Sequence, residues 1–366
     1  MDNRNNRVPI VPLFLRNAGC PGRCIYCSER LTDPENAEPL TYASIRRTVA
    51  RHLEHSRHRS PAQIAFYGGS FTGLDPERQE TLLQAARACI EEGLAGSIRI
   101  STRPDAIDCS ILNRLAAAGV ATVEIGAESM NDEILAAARR GHTAADVVRT
   151  VRLLKKRGFE TGVHLMAGLP GDTRERFAAS VGRVIDLKPD MVRIHPTLVL
   201  EGTQLAALHR RGEYEPLSME DAVQRCAAAS IRIEAAGIRL ARMGLQATEA
   251  LEQSGAIIAG PYHPSFGAIV AAEIFRRMAA HLLSAHGGGQ DAVSFRVSPR
   301  DVSDFRGNRN ANLRLLRKRF GLQDVAVCGE PDRERGAVAL ETGGALFELR
   351  RGELAKRRTA EGESLL

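Results

Sequence analysis

The sequence predicts an α/β fold: an incomplete (βα)6 barrel of the TIM type with a small C-terminal α/β appendage. Six β-branched runs alternate with amphipathic helical patterns up to residue 195. Each strand–helix unit takes about 31 residues, the expected size of a right-handed βα repeat in a parallel sheet. A closed barrel needs eight units and about 250 residues, so six units leave a lateral opening.

The predicted strands and helices follow one another along this first part of the chain. The strands are residues 8–15, 63–67, 97–101, 121–126, 161–165 and 191–195. The helices are residues 42–55, 76–92, 109–118, 131–139, 144–157 and 174–187. Ile45 and Val49 have the spacing of one helical face, and Asp75-Pro76 is a cap and first-turn pair.

The pattern changes beyond residue 200. Helices are predicted at 219–236 and 268–284, and Gly287-Gly288-Gly289 predicts a linker. The appendage is predicted from a strand at 292–297, a helix at 304–320, a strand at 324–328 and a hairpin over 338–349. The predicted divisions are the barrel (1–200), a helical extension (201–286), the appendage (290–350) and a flexible tail (351–366).

Composition indicates an ordinary globular protein of 366 residues, with 43% hydrophobic and 26% charged residues. No apolar run approaches the roughly 20 residues that span a bilayer. The N-terminus is polar, without the apolar core of a signal peptide. We therefore expect no membrane partner and a cytoplasmic location, where reducing conditions keep thiolates available.

The net charge is +6 and the isoelectric point is about 9.1. The stretch from Arg139 to Arg157 contains seven Lys or Arg and one acid, Asp146. A second stretch, from Arg46 to Arg59, contains five Arg and three His. Either stretch alone is explained by a solvated helix face. The two together favour a polyanionic partner, and RNA is the hypothesis they support.

Cys20, Cys24 and Cys27 have the spacing C-x3-C-x2-C. A [4Fe–4S] cluster normally takes four cysteines, so three would leave one iron open for chemistry. The alternative is a zinc site, which normally needs a second ligand pair that this sequence lacks. The remaining cysteines are predicted to be small buried hydrophobic residues rather than ligands. They are Cys89, Cys109, Cys226 and Cys328.

Candidate site residues follow every predicted strand. After the cysteine loop these are 68–70 (Gly-Gly-Ser), 102–105 (Thr-Arg-Pro-Asp), 128–129 (Glu-Ser), 168–171 (Gly-Leu-Pro-Gly) and 196–197 (Pro-Thr). The loops that follow the strand C-termini build the active site in barrels of this kind. The sequence therefore predicts one site at the carboxyl edge of the sheet.

The chain resembles radical S-adenosylmethionine (SAM) enzymes, and more narrowly the radical SAM half of the catalytic subunit of Elongator and its stand-alone bacterial relatives. A more distant likeness is to oxygen-independent coproporphyrinogen oxidase. The resemblance covers residues 8 to about 275 and is carried by several strings. They are CPGRCIYC (20–27), FYGGSFT (66–72), STRPD (101–105), RRGHT (139–143), HLMAGLPG (164–171), HPTLVLEGT (195–203) and GEYEP (212–216).

The resemblance implies that Cys20, Cys24 and Cys27 hold the cluster. It implies that SAM chelates the open iron through its amino and carboxylate groups. One electron, from a flavodoxin-like or ferredoxin-like donor, would cleave SAM to a 5′-deoxyadenosyl radical that abstracts hydrogen from a substrate. The residues after Ser284 show no acyl-CoA-binding pattern, so the acetyltransferase reaction of the Elongator subunit is not expected.

The resemblance also implies contacts to SAM. Gly68 and Gly69, with Ser70, would let the backbone approach the methionine amino group; an ordinary tight turn is the alternative. Glu128 lies at the position where relatives often have a polar residue that contacts the ribose hydroxyls. Arg140 falls where relatives pair the SAM carboxylate, although it also lies in the basic stretch.

Five further residues are expected at the cofactor site. Gly168 would admit the adenine. Ser101 stands where relatives carry an acid, which implies a weaker contact to the ribose or amino group. His164 faces either the site or the core. Phe14 and Tyr26 would pack on the cluster or adenine, with core packing as the alternative.

Three functions compete at this point. The first is a radical SAM enzyme that modifies a base of tRNA or another RNA. The second is a radical SAM enzyme that acts on a porphyrin-like small molecule or a peptide. The third is a non-enzymatic binding module on the same scaffold, against which the three-cysteine loop argues.

Overall fold

The computed structural model describes residues 8–15, 18–20, 22, 24–28, 31, 40–54, 61–245, 248–253, 255–287 and 291–360. Within these residues the strands are β1 (Ile10–Phe14), β2 (Ala62–Tyr67), β3 (Ala95–Thr102), β4 (Val120–Glu128), β5 (Glu160–Ala167), β6 (Met191–Pro196), β7 (Val199–Leu200), β8 (Arg239–Met243), β9 (Ile257–Ala259), β10 (Ala292–Val297), β11 (Asp324–Gly329), β12 (Ala337–Thr342) and β13 (Ala345–Arg350).

The helices of the described residues are α1 (Tyr42–Glu54), α2 (Pro76–Glu91), α3 (Cys109–Ala117), α4 (Asp132–Ala137), α5 (Ala144–Lys156), α6 (Arg174–Leu187), α7 (Gln204–Arg210), α8 (Met219–Ala235), α9 (Glu249–Glu252), α10 (Phe266–His286), α11 (Val302–Arg306), α12 (Ala311–Phe320) and α13 (Arg351–Ala360). None of them is long and apolar enough to cross a membrane.

The main sheet has seven strands in the order β1-β2-β3-β4-β5-β6-β8, and all its neighbours pair in parallel. This confirms the predicted partial barrel, in which α helices connect the strands. The prediction of six strands was wrong by one, because β8 joins the sheet beside β6. Its residues, Arg-Leu-Ala-Arg-Met, are mostly exposed and contain no β-branched run, so sequence periodicity gave no signal.

Local signals fix the helix ends as expected. Asp75 caps α2 by accepting a hydrogen bond from the Arg78 backbone N–H at 2.8 Å. Thr143 and Asp146 form a capping box that starts α5. Gly158 follows α5 with φ +76°, a conformation that glycine adopts without strain.

The two faces of the main sheet differ in chemistry. Ile64, Ile98 and Val123 are buried in an apolar cluster with residues of the flanking helices, as expected for a parallel sheet covered by helices. Because side chains alternate along a strand, their neighbours point to the opposite, inner face. That inner face carries ionisable side chains such as Arg99 and Glu124, which form an ion pair at 2.5 Å.

The C-terminal sheet has the order β11-β10-β12-β13. The strands and hairpin predicted for it are confirmed. The predicted helix 304–320 is instead broken between α11 and α12, where Gly307, Arg309 and Asn310 have positive φ. The glycines predicted as a linker, Gly288 and Gly289, lie outside the described residues.

The segment after Arg350 differs from the expected flexible tail. Residues 351–360 form α13, whose Leu354 is fully buried. Gly352 brings α13 against α8, since a Cβ there would lie 3.3 Å from the Ala235 Cα. One apolar cluster runs from the barrel through Phe275 to Phe295 and Leu354, so α13 packs into a core that the barrel and the C-terminal sheet share.

Candidate active site

The cysteine loop follows β1 and is anchored by residues far away in the sequence. The Ile25 N–H donates to the Ala138 carbonyl at 3.3 Å, and the Leu205 N–H donates to the Ile25 carbonyl at 2.8 Å. Ile25 is buried beside Leu205. Cys24 is buried, whereas Cys20 and Cys27 are exposed. The loop therefore has a fixed base and presents two thiols outward.

The Gly68-Gly69-Ser70 turn packs against the start of the cysteine loop. The Ser70 N–H donates to the Ala18 carbonyl at 3.0 Å, and Gly68 has φ +75°. A Cβ at Gly19 would lie 2.1 Å from the Ser70 carbonyl oxygen, and one at Gly73 would lie 2.0 Å from the Gly19 carbonyl oxygen. Only glycine at these two positions leaves room for the two backbones.

Arg140 connects the cysteine loop to the end of β4. Its Nη1 donates to the Cys24 Sγ at 3.2 Å, and its Nη2 donates to the Gly126 carbonyl at 2.6 Å. The same Nη2 lies 3.7 Å from Oε1 of Glu128. Arg140 is 8% exposed, so it does not belong to the basic surface that contains its neighbour Arg139. The structure thus brings together Cys24, Glu128 and Arg140.

The backbone around Cys24, Glu128 and Arg140, the contact group, is strained and tightly packed. Glu128 has φ +62°, which costs on the order of 1–3 kcal/mol for a residue with a Cβ. A Cβ at Gly126 would lie 2.9 Å from Glu128 Oε1 and 3.1 Å from Arg140 Nη2. Strain of this kind concentrates at functional sites, where the surroundings hold it in place.

Buried polar atoms without a hydrogen-bond partner surround the contact group. Among the described residues they include the Tyr26 hydroxyl, Glu128 Oε2 and Arg140 Nε. Burial raises the pKa of Tyr26. Burial alone would lower the pKa of Arg140, but Tyr26, Glu128 and Cys24 outweigh that effect and raise it. Arg140 is therefore a permanent cation beside the cysteine loop.

By the chemistry of their side chains, these residues suit a cluster with a bound amino-acid ligand. Three cysteines supply soft thiolate donors, which iron–sulfur clusters use, and Arg140 supplies a cation suited to a carboxylate. The unpartnered atoms of Tyr26, Glu128 and Arg140 offer polar contacts to a ligand. Within the described residues, no three His, Cys, Asp or Glu side chains are grouped closely enough to bind a single metal ion.

His164 and Ser101 lie on the inner face of the barrel, near a buried carboxylate. His164 Nε2 lies 2.5 Å from Oε2 of Glu124, a fully buried carboxylate. Ser101 is the register partner of Glu124 on the neighbouring strand. Both residues thus belong to the surroundings of Glu124 rather than to the contact group of Cys24.

Gly168 and Phe14 occupy other positions at the carboxyl edge. A Cβ at Gly168 would lie 2.7 Å from Leu217 Cγ, so a protein side chain fills the space beside this glycine. The Gly168 N–H donates to Asp172 at 2.8 Å, and its carbonyl accepts from the Tyr214 hydroxyl at 2.6 Å. Phe14 is half-buried at the end of β1.

Sequence reasoning missed the network around Glu124. Arg99 and Tyr67 donate to Glu124 Oε1 at 2.5 and 3.1 Å, and Arg193 Nε lies 3.0 Å from Oε2. Burial opposes ionisation, but His164, Arg193 and Arg99 together hold the pKa of Glu124 well below its usual value. The signal was present, because each of four consecutive strands carries at least one ionisable residue within an apolar run. These residues are Arg99, Glu124, His164 and Arg193.

Two protein-family models match successive parts of the chain. The Radical SAM superfamily model matches residues 16–184, and the Radical_SAM C-terminal domain model matches residues 189–276. The tRNA uridine(34) acetyltransferase of Methanocaldococcus jannaschii is 30% identical over 59% of this chain and 47% of that protein. Elongator complex protein 3 of Bos taurus is 32% identical over 59% of this chain and 48% of that protein.

Among solved structures, the archaeal Methanocaldococcus infernus Elp3 with an N-terminal deletion has a TM-score of 0.61 and 24% identity. The match covers 78% of this chain and 68% of that one, and it shows a shared fold. Coproporphyrinogen III oxidase from Escherichia coli has a TM-score of 0.45 over 63% of this chain and 54% of that one, at 20% identity.

The chain contains a Radical SAM domain over residues 16–184, followed by a Radical_SAM C-terminal domain over residues 189–276. Radical SAM proteins are enzymes that use a [4Fe–4S] cluster and SAM. The chain's similarity in sequence is to the Elongator branch of these proteins. The chain spans about half the length of the curated relatives it matches.

Proposed function

We propose that this protein is a radical SAM enzyme that modifies a base of tRNA or another RNA. Cys20, Cys24 and Cys27 hold the [4Fe–4S] cluster and leave one iron for SAM. When bound, the cluster supplies the electron that cleaves SAM to a 5′-deoxyadenosyl radical. The observation that carries the proposal is the meeting of Cys24, Glu128 and Arg140, which come from three separate segments of the chain.

The protein's own groups bind and orient the cofactor in this proposal. Arg140 donates to the Cys24 sulfur, and its guanidinium would pair the SAM carboxylate. Glu128, with one buried oxygen unpartnered, would accept hydrogen bonds from the ribose hydroxyls. The Gly68-Gly69 backbone would accept hydrogen bonds from the methionine amino group, and Gly19 lets the cysteine loop pack closely against that turn.

Two observations support an RNA substrate. The first is the similarity to a protein named tRNA uridine(34) acetyltransferase. The second is the surface of α5, which begins beside the site and runs for about 20 Å. Its exposed basic residues are Arg149, Arg152, Lys155 and Lys156. Phosphate neutralisation by such a row gives RNA affinity that falls steeply with salt.

Two further basic segments bear on this partner. In the stretch from Arg46 to Arg59, Arg46 forms an ion pair with Glu92 at 2.7 Å, and residues 55–59 lie outside the described part of the chain. A surface that the sequence analysis missed lies on α12, which exposes Arg314, Lys318 and Arg319. We infer a cytoplasmic location, where reduced thiols and a protein electron donor of the flavodoxin or ferredoxin type are available.

The test is anaerobic reconstitution and reduction, followed by a deoxyadenosine assay with fractionated cellular RNA and, separately, with small metabolites. We expect a brown, iron-containing protein that forms 5′-deoxyadenosine, with more formed when tRNA is present. Cys24→Ala should abolish both the cluster absorbance and the cleavage, whereas Cys109→Ala, an exposed cysteine outside the site, should leave them intact. Stimulation by metabolites but not by RNA would assign the enzyme to a small-molecule substrate.

A further inference from the structure

The inner side of β6 carries a row of polar groups that the proposed cofactor site does not use. Arg193, His195 and Thr197 alternate along the chain, so they share one side of an extended segment. Each has a buried polar atom without a hydrogen-bond partner among the described residues: Arg193 Nε, His195 Nδ1 and Thr197 Oγ1. Buried polar atoms are normally satisfied, so three in a row indicate a site built for a ligand.

Among the described residues, the two carboxylates of this face, Glu124 and Glu160, already have arginine partners. Glu124 is neutralised by Arg99, and Glu160 accepts a hydrogen bond from Arg239 at 2.7 Å. Arg193 is a second cation on Glu124: its Nε lies 3.0 Å from Oε2, in an ion pair without hydrogen-bond geometry. Arg193 therefore adds positive charge that these carboxylates do not balance.

Arg242 adds a second guanidinium beside the first. It is the register partner of Arg193 on the neighbouring strand β8. Partial burial and then the charge of Arg193 lower the pKa of Arg242, so the two cations repel each other. An anion between them relieves that repulsion, and paired guanidinium groups match the two oxygens of a carboxylate or phosphate.

The side chains of the row are held in position, and the ring of His195 is uncharged. Arg193 is fixed by its Nη2, which donates to the Tyr67 hydroxyl at 2.9 Å, and by the Tyr67 ring at 5.1 Å. Burial, and then the nearby His164 and arginines, lower the pKa of His195 to about 3, so its ring is neutral at physiological pH. Thr197 is 1% exposed and lies at the carboxyl edge, where the cysteine loop also lies.

We propose that the row Arg193, His195 and Thr197, with Arg242, binds an oxyanion group of the substrate, either a carboxylate or a phosphate. This inference rests on the proposed function, because it places the substrate inside the barrel, next to the SAM site. The guanidinium groups bind the charge, while His195 and Thr197 complete the hydrogen bonds that position the group.

The test measures binding without turnover. Malonate represents a free carboxylate and uridine 5′-monophosphate a nucleotide phosphate, and each is titrated into the full-length protein by calorimetry at low ionic strength. We expect at least one probe to bind, and Arg193→Gln to weaken it by at least about tenfold, which is ~1.4 kcal/mol. Thr197→Val keeps the side-chain shape and should weaken it about threefold, by loss of one hydrogen bond.

The matched control is Arg296→Gln. Arg296 also pairs with a carboxylate on a neighbouring strand, Glu341 at 2.8 Å, but it lies in the C-terminal sheet, so its replacement should leave binding unchanged. No binding of either probe, or equal binding by wild type and by both the Arg193 and Thr197 variants, overturns the site. Deoxyadenosine formation by the wild type tests the proposed function separately, so either conclusion can fail while the other stands.

Discussion

At the scale of single residues, Arg140 contacts segments of the site that are far apart in the sequence. It is buried, contacts Cys24 Sγ and Gly126, and lies beside Glu128. Its neighbour Arg139 is exposed, although both belong to the same basic stretch. Two adjacent arginines therefore have different surroundings, which provides a matched pair for experiment.

We expect Arg140→Gln to raise the Kd for SAM by at least about tenfold, or ~1.4 kcal/mol, because a neutral amide replaces the cation that pairs the SAM carboxylate. Arg139→Gln should leave the Kd unchanged. Equilibrium dialysis of the reconstituted protein measures both, with iron content as a check on the cluster. Equal affinities in the two variants would remove Arg140 from the SAM site.

Asp172 gives a pH prediction at the same scale. Burial raises its pKa to about 6, against the opposing effects of the Gly168 N–H and nearby arginines. The folded protein then binds a proton more tightly than the unfolded chain does. Stability contributed by this group is therefore present at low pH and is lost as the pH rises from about 4 to about 6.

We expect Asp172→Asn to lack this loss, because an amide does not ionise. A rise of about 2 pKa units corresponds to about 3 kcal/mol. Urea unfolding of the cluster-free protein at about pH 4.5 and about pH 7.5 measures the change for wild type and variant. If the two proteins lose the same free energy of unfolding between these values, Asp172 does not carry the dependence.

At the scale of elements, the cysteine loop depends on the turn after β2. Gly19 has φ +79°, and a Cβ there would lie 2.1 Å from the Ser70 carbonyl oxygen. Gly22, three residues further along the same loop, has open space around the position of a Cβ. The two glycines of one loop therefore differ in what they can accept.

Gly19→Ala should displace the loop, since both the contact and the backbone conformation oppose a Cβ at a cost of more than ~2 kcal/mol. We expect iron content and cluster absorbance after reconstitution to fall sharply. Gly22→Ala should reconstitute like the wild type. Full cluster content in the Gly19 variant would show that loop docking on the turn is not needed.

At the scale of the whole molecule, α13 ties the end of the chain to the shared core. Leu354 is fully buried, and Arg351 lies 4.7 Å from the ring of Phe275 on α10. The barrel and the C-terminal sheet are therefore joined by the packing of α8, α10 and α13. Loss of apolar contacts in α13 should weaken the molecule as a unit.

We expect Leu354→Ala to lower the free energy of unfolding by about 2–5 kcal/mol, the usual cost of a buried leucine. Leu346→Ala is the matched control, because Leu346 is 52% exposed on β13 and surface changes usually stay within about 0.5 kcal/mol. Denaturant unfolding measures both variants. Equal losses would mean that α13 does not pack as described.

The basic surface of α5 gives a second prediction at this scale, on the proposed RNA partner. Replacing Arg152 and Lys156 by Gln should lower tRNA affinity and reduce the salt slope by about two, near 0.9 for each phosphate contact. The same replacement at Arg78 and Arg87, exposed on α2, is the control. An unchanged slope in the α5 variant would exclude this surface from RNA binding.

Much of the fold could be predicted from sequence. The six predicted strands and most helices were located within a few residues, because periodicity and caps are local properties. The strand β8 was missed, since its exposed arginines are explained only by their neighbours on β6. The break at Gly307–Asn310 and the packing of α13 were missed because contacts with distant residues decide them.

The sequence by itself determined the cysteine spacing, the βα alternation and the convergence of the strand-end loops, since each depends on residues close together along the chain. Only the tertiary structure decided that Arg140 turns inward to Cys24 while Arg139 stays exposed, and that Glu124 gathers Arg99, His164 and Arg193. The physical reason is that these contacts join residues on different strands and loops. Their ion pairs and hydrogen bonds form only when the strands have assembled into the sheet and the loops pack at its edge.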